Sequence, residues 1–199
     1  MRRLLSALVL LLAGLSPAMA QPFPATGVPT YYGSVLDYSV PANATDIACL
    51  EGAAGKVVKL NGAFISGTAL TAASINVTTM RRISLNVGGT SNEINPTSGN
   101  PTHGAALAKL KFWTVSPATL GNTDVPPKGI VFRRLRWDIG AALSSPDASL
   151  AMIASQANNP YTSQPEIRSA TNAICIGFGG TGSPAALINI NVVWTETDS

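Results

Sequence analysis

Apolar and polar positions alternate with period two in several short stretches of the chain. The clearest stretch lies near the C-terminus, where Ile188, Ile190 and Val192 alternate with Asn189 and Asn191. Successive side chains of a β-strand point to opposite faces, so this pattern predicts a half-buried strand over residues 187–194. The β-branched residues favour the same assignment.

Seven further stretches have the composition or alternation of strands, and no stretch sustains the 3.6-residue period of a long helix. The predicted strands lie at 31–40, 46–50, 57–66, 74–85, 106–115, 129–140 and 173–178. Turns rich in Gly, Pro and Asn separate them. Many short strands of this kind predict an all-β fold, a single antiparallel β-sandwich or jelly-roll-like domain of about eight strands.

The phase of the alternation predicts the core. The expected core residues are Phe64, Ile75, Val77, Leu110, Phe112, Leu135, Trp137, Ile190, Val192 and Trp194. Ile130 and Phe132 have the opposite phase to Leu135 and Trp137, which predicts a β-bulge near 133–134. Two long segments, 88–104 and 143–171, are expected to be irregular loops, with one short helical turn near 148–155.

The first 20 residues have the three parts of a secretory signal peptide. A basic start with Arg2 and Arg3 precedes an apolar run, and Ala18-Met19-Ala20 supplies a small-x-small end. The run is shorter than the ~20 residues of a membrane span. We therefore expect cleavage before Gln21, a proline-rich extended arm at 21–30, a sandwich domain at 31–199, no stable membrane span in the mature chain, and a periplasmic or extracellular location.

Removal of residues 1–20 takes two of the 13 basic residues and leaves 11 against 10 acidic residues, a net charge of +1. That near-neutral balance argues against a nucleic-acid partner, which calls for a strong basic excess. Cys49 and Cys175 are the two cysteines. In an oxidising compartment they predict a disulfide closing a loop of about 125 residues, worth ~4–5 kcal/mol. The alternative is two buried free thiols.

Candidate catalytic residues are sparse. His103, in a Pro/Gly loop, is the single histidine. A nucleophile–base pair would have to use it, and a zinc site would lack the three or four ligands that it needs. The acidic residues are scattered, and a glycosidase would need two of them facing each other at a fixed distance. We therefore expect a non-enzymatic protein with no metal and no cofactor.

Candidate contact residues are arginines and tyrosines. Arg133, Arg134 and Arg136 form the densest charged cluster, which suits either an anionic or sugar ligand, or a solvated strand face or subunit contact. Tyr31, Tyr32 and Tyr161 are expected on the contact surface. In a carbohydrate-binding module, these tyrosines and Trp113 would supply the faces on which sugars stack.

Four segments carry a resemblance to a known group of proteins. They are ATDIACLEGAAGKVVKLNGAFISGTALTAAS at 44–74, INVTTMRRISLNVGGTS at 75–91, RWDIG at 136–140 and INVVWTET at 190–197. In this order they resemble virion-associated structural proteins of tailed phages and prophages, of the decoration or tail type. The resemblance implies a virion-associated β-sandwich and supplies no catalytic residues.

A signal peptide is not expected on a virion component assembled in the cytoplasm. The chain is therefore either an exported cellular relative of that group, or it uses residues 1–20 in another way. We expect a non-enzymatic exported structural or interaction protein, associated with a virion if the phage resemblance holds, that forms homo-oligomers or binds another structural protein. The alternative is an exported carbohydrate-binding module whose partner is a surface glycan.

Overall fold

The computed structural model describes residues 27–41, 44–69, 71–122, 131–139, 150–154, 164–178 and 185–199. The predicted signal peptide and most of the predicted arm lie outside these ranges. The described residues form twelve strands and contain no helix, which confirms the all-β prediction. The strands are β1 Thr30–Ser39, β2 Asp46–Glu51, β3 Lys56–Ala69, β4 Ala73–Arg82, β5 Thr90–Ile94, β6 Thr97–Ser98, β7 Lys109–Val115, β8 Val131–Ile139, β9 Leu150–Ala154, β10 Glu166–Ile167, β11 Ala173–Gly177 and β12 Ala186–Asp198.

The strands make two antiparallel sheets that form a β-sandwich. The first sheet has the order β10-β3-β12-β1-β6, and β9 also pairs with β3. The long strands β3 and β12 pair along almost their whole length, from Ala69 opposite Ala186 to Lys56 opposite Asp198. The second sheet has the order β5-β7-β2-β11-β4-β8. No helix in the described ranges is long and apolar enough to cross a membrane.

All eight predicted strands are present, with shifted ends. The strand predicted to run to residue 85 ends at Arg82, and Ile83 beyond it is exposed. The predicted bulge lies at Phe132: Val131 pairs with Met80 and Arg133 pairs with Thr79, so one extra residue stands in β8. The helical turn predicted near 148–155 is wrong, because Leu150–Ala154 is a strand paired with β3. Segment 88–104 also contains two strands, β5 and β6, rather than only loop.

The core lies between the two sheets. Six predicted core residues are buried, and Ile75, Phe112 and Leu135 are partly buried against them. The six are Val77, Leu110, Trp137, Ile190, Val192 and Trp194. Full burial of one large apolar side chain contributes about 1.5–3 kcal/mol. Gly33 lets the sheets approach closely, because a Cβ there would lie 2.5 Å from Leu110 Cδ2.

Phe64 was predicted in the core and lies elsewhere. It is partly exposed, and its two chain neighbours, Ala63 and Ile65, point into the core. Alternation therefore directs Phe64 to the outer side of the first sheet, opposite Asn191 of β12.

Candidate functional site

The outer side of the first sheet is an open surface made by its three longest strands. We call the outward side chains of residues 32–39 in β1, 62–68 in β3 and 187–193 in β12 the neutral face. Strand pairing aligns Tyr32 with Val193, and Asn191 lies between Ser34 on one side and Phe64 on the other. Leu36 and Leu187, at one end of the face, are 69% and 49% exposed.

The neutral face carries almost no charge. Asp37 is the single Asp, Glu, Lys or Arg in the three stretches that form it. Asp37 lies in a β-bulge of β1 between Val35 and Tyr38, and its φ of 50° places it in the left-handed region. Its backbone N–H donates to Asn189 Oδ1 at 2.8 Å. The Asn189 side chain thus stabilises a backbone conformation that an L-residue rarely adopts.

Two asparagine amides lie in the middle of the neutral face with fixed orientations. Ser34 Oγ donates to Asn191 Oδ1 at 2.7 Å, and Asn189 Oδ1 accepts from Asp37. Both amide oxygens are therefore used within the sheet. Among the described residues, neither Nδ2 group has a partner, so both are donors that a bound molecule can use.

The two adjacent tyrosines of β1 have different environments. Tyr31 was predicted on the contact surface, but only 4% of it is exposed. Its ring lies 5.9 Å from the ring of Trp194, and its hydroxyl donates to Gly104 O at 3.1 Å. Burial, assisted by the nearby Glu196, raises the pKa of Tyr31. Tyr32 points outward and is 37% exposed. Tyr161 lies outside the described residues.

The arginine cluster lies on β8, at the edge of the second sheet. Arg134 and Arg136 are exposed on the outer side of this sheet. The side chain of Arg133 is not among those that the structure describes. Arg136 Nε donates to Ser74 Oγ at 2.6 Å and lies 3.4 Å from Asp138 Oδ1. The Ser74 hydrogen bond and then Arg136 lower the pKa of Asp138. The cluster and the neutral face are therefore on different sheets.

Cys49 and Cys175 form a disulfide, which confirms that prediction over the alternative of two buried free thiols. The cysteines are direct cross-strand partners of β2 and β11, on the outer side of the second sheet. Trp113 packs against them and is 3% exposed, with Leu85 beside it. Trp113 therefore covers the disulfide and offers no face for a sugar, contrary to its predicted role in a carbohydrate-binding module.

A buried ion pair lies next to the disulfide. A bulge at Ile47 turns Asp46 to the same side as Cys49, where Arg82 donates to both Asp46 oxygens at 2.8 and 2.9 Å. Asn86 donates to Asp46 Oδ2 and accepts from Gly121 N. An Asp46 oxygen and the two sulfur atoms lie within 4.8 Å of one another. A guanidinium already neutralises this carboxylate, and the sulfurs are bonded to each other.

A second buried carboxylate connects the C-terminal strand to a loop. Glu196 is 3% exposed and accepts from the backbone N–H groups of Leu107 and Ala108, each at 3.0 Å. It also accepts from the indole of Trp194 at 3.0 Å. His103 lies on the same loop, and its buried Nδ1 has no partner among the described residues.

Sequence reasoning placed Asn189 and Asn191 on the outward side of the last strand but did not identify them as contact residues. The signal was the Ile-Asn alternation itself. Their neighbours Phe64, Leu36 and Ser34 could be found only from the pairing of β12 with β3 and β1. Comparison of the chain with protein-family models, with curated proteins and with solved structures returns no match.

Proposed function

We propose that this chain is an exported, non-enzymatic structural protein that associates with copies of itself or with another structural protein. The observation that carries this proposal is the neutral face. It is an open sheet surface with exposed aliphatic and aromatic side chains, one carboxylate, and amide donors that no group in the described part of the chain accepts from. Surfaces depleted in charge and enriched in aromatic residues are typical of protein–protein contacts.

The disulfide supports the exported location. Disulfides persist in the periplasm and outside the cell, and they are rare in the reducing cytoplasm. The Cys49–Cys175 bond is buried between strands, which suits a structural role better than redox chemistry. Together with the signal-peptide pattern of residues 1–20, it favours an oxidising compartment.

The roles of the buried charged groups support a non-enzymatic protein. Asp46 is paired with Arg82, and Glu51 is paired with Lys111 at 2.8 Å. Glu196 binds two backbone amides and an indole. Each of these carboxylates has partners that fix the fold, which is the ordinary use of a buried acid outside an active site.

The resemblance to tailed-phage virion proteins adds the proposal of a decoration or tail role. The motifs that carry it have structural positions in this fold. Gly88 and Gly89 have positive φ values of 76° and 74° in the GGTS turn before β5. The Trp-Thr-Glu sequence contains the buried Glu196, and RWDI of the RWDIG motif lies in β8. These motifs form turns, strands and buried contacts, which suits a structural protein.

Size-exclusion chromatography with light scattering on oxidised residues 21–199 tests the proposal. We expect a defined oligomer or a concentration-dependent increase in mass. A strictly monomeric protein that binds no component of its own envelope or virion would contradict the structural role.

A carbohydrate-binding module is the second candidate, and one observation favours it. Tyr32 is exposed on the same face as the Nδ2 groups of Asn189 and Asn191, and sugars bind to aromatic rings flanked by hydrogen-bond donors. A glycan array tests this candidate. The carbohydrate-binding function requires a glycan that binds the wild-type protein and does not bind the Tyr32→Ala variant. An array on which no glycan binds would contradict this function.

A further inference from the structure

We infer that the neutral face is the surface through which two copies of this chain associate. This inference rests on the proposed structural function and names the surface that carries it. The partner is a second copy that presents the same face about a twofold axis, as in an isologous contact.

Charge is the first argument for this partner. The three stretches that form the face, 32–39, 62–68 and 187–193, carry Asp37 as their one charged side chain, so the face has little attraction for a strongly charged partner. A second copy of the same face meets it without a large repulsion, because like charges would have to approach only at the Asp37 bulge. The outer side of β8 instead exposes Arg134, Arg136 and Asp138, so an apolar contact with a second copy there would have to remove three charged side chains from water.

The exposed aliphatic residues are the second argument, and they favour a protein over a glycan. Leu36 and Leu187 are 69% and 49% exposed at one end of the face. A leucine has no hydrogen-bonding group and no flat ring for a sugar, but it gains about 25 cal/mol for each Å² buried against another apolar side chain. Phe64 and Tyr32 extend the apolar surface toward the other end.

The size of the face sets the expected strength. Strands about 4.8 Å apart with an outward side chain every ~6.7 Å give roughly 30 Å² per position, or about 400 Å² for three strands with four positions each. A stable interface uses about 800 Å² from each partner. We therefore expect weak, reversible association, with a dissociation constant on the order of micromolar or higher.

Sedimentation velocity on oxidised residues 21–199, from micromolar to near-millimolar concentration, tests the inference. The test variants are Leu36→Lys and Leu187→Lys, which place a cation on the face in each copy. Val115→Lys is the matched control, because Val115 is 55% exposed on the other sheet. Thermal unfolding of every variant verifies that it is folded.

We expect each test variant to raise the dissociation constant more than about tenfold, and the control to leave it unchanged. As an independent readout, Asn191→Cys places the one free thiol of the protein in the middle of the face. Mild oxidation should then give a disulfide-linked dimer, whereas Val115→Cys should give little.

The outcomes separate the surface from the function. Association that persists unchanged in both leucine variants overturns the neutral face as the interface and leaves the structural function standing. A wild-type protein that stays monomeric at every concentration overturns the self-association, and it overturns the structural function as well only if it also binds no component of its own envelope or virion. If that monomer binds a glycan and Tyr32→Ala abolishes the binding, the face is a sugar site instead.

Discussion

The indole Nε1 of Trp194 donates a 3.0 Å hydrogen bond to Oε1 of Glu196, two residues further along the same strand. Both side chains are buried, and the carboxylate also accepts the N–H groups of Leu107 and Ala108. One acidic side chain thus satisfies a buried indole and two backbone amides that have no strand partner. This relationship explains structurally why the chain has a glutamate at a position of β12 that faces away from water.

Glu196→Ala should destabilise the protein by about 2–4 kcal/mol, because it leaves two buried donors and one partly buried donor without an acceptor. Glu196→Gln should cost less, since its one remaining oxygen still accepts. Urea unfolding followed by tryptophan fluorescence measures both. Glu93→Ala is the control, because Glu93 lies in an exposed pair with Lys109 and should change stability by less than about 1 kcal/mol. An equal loss of stability in Glu196→Ala and Glu93→Ala would contradict the structural role of Glu196.

Removal of the disulfide in the double variant Cys49→Ala/Cys175→Ala should cost about 4 kcal/mol, because the bond closes a long loop in the unfolded chain. A thiol assay on unfolded, unreduced wild-type protein should find no free thiol. Trp113→Ala should accelerate reduction of the native protein by dithiothreitol, since the indole covers the sulfur atoms. Two free thiols in the unreduced chain would disprove the bond.

Arg82→Met should destabilise the protein by about 3–5 kcal/mol, because Asp46 would stay buried without its cation. The double variant Arg82→Met/Asp46→Leu should recover much of the loss, since it removes both charges. Denaturant unfolding of the single and double variants gives the coupling energy. Additive effects would mean that the 2.8 Å contact contributes little beyond each residue alone.

Asp37→Gly should stabilise the protein by about 0.5–1 kcal/mol, because glycine adopts a φ of 50° without the cost that Cβ imposes. Asp37→Val should be destabilising, since a β-branched side chain fits the left-handed region poorly. Ser39→Gly in the same strand is the control and should be neutral or destabilising. Thermal unfolding measures all three, and a destabilising Asp37→Gly would argue that the aspartate side chain itself contributes to the bulge.

Short apolar runs predicted β2 and β11, which are buried along their whole length. The alternation of apolar and polar residues predicted strands such as β12 that have one buried and one more exposed face. It failed where that contrast is missing. Thr90, Ser91, Asn92 and Glu93 of β5 are all exposed, so nothing in their pattern indicates a strand. Leu150–Ala154 has the composition of a helix, and its pairing with β3 overrides that local preference.

The surface was harder to predict than the core. Alternation correctly places Trp113 on the side of β7 opposite Leu110. It does not show that this side is covered, so it predicts an exposed Trp113. Residues that cover it, such as Leu85, come from another part of the chain. In the same way, no local pattern distinguishes Tyr31 from Tyr32. Only the packing of Tyr31 against Trp194 shows which of the two points inward.

The disulfide joins residues that are 126 positions apart, and so it connects an early strand to one of the last. A protease that cuts a loop anywhere between Cys49 and Cys175 produces two pieces that remain covalently attached. The cut chain migrates as one species on a non-reducing gel. Its two pieces stay tethered, so their strands can still pair as parts of one molecule. A nicked copy can therefore keep its fold, because its two pieces cannot diffuse apart while the disulfide is intact.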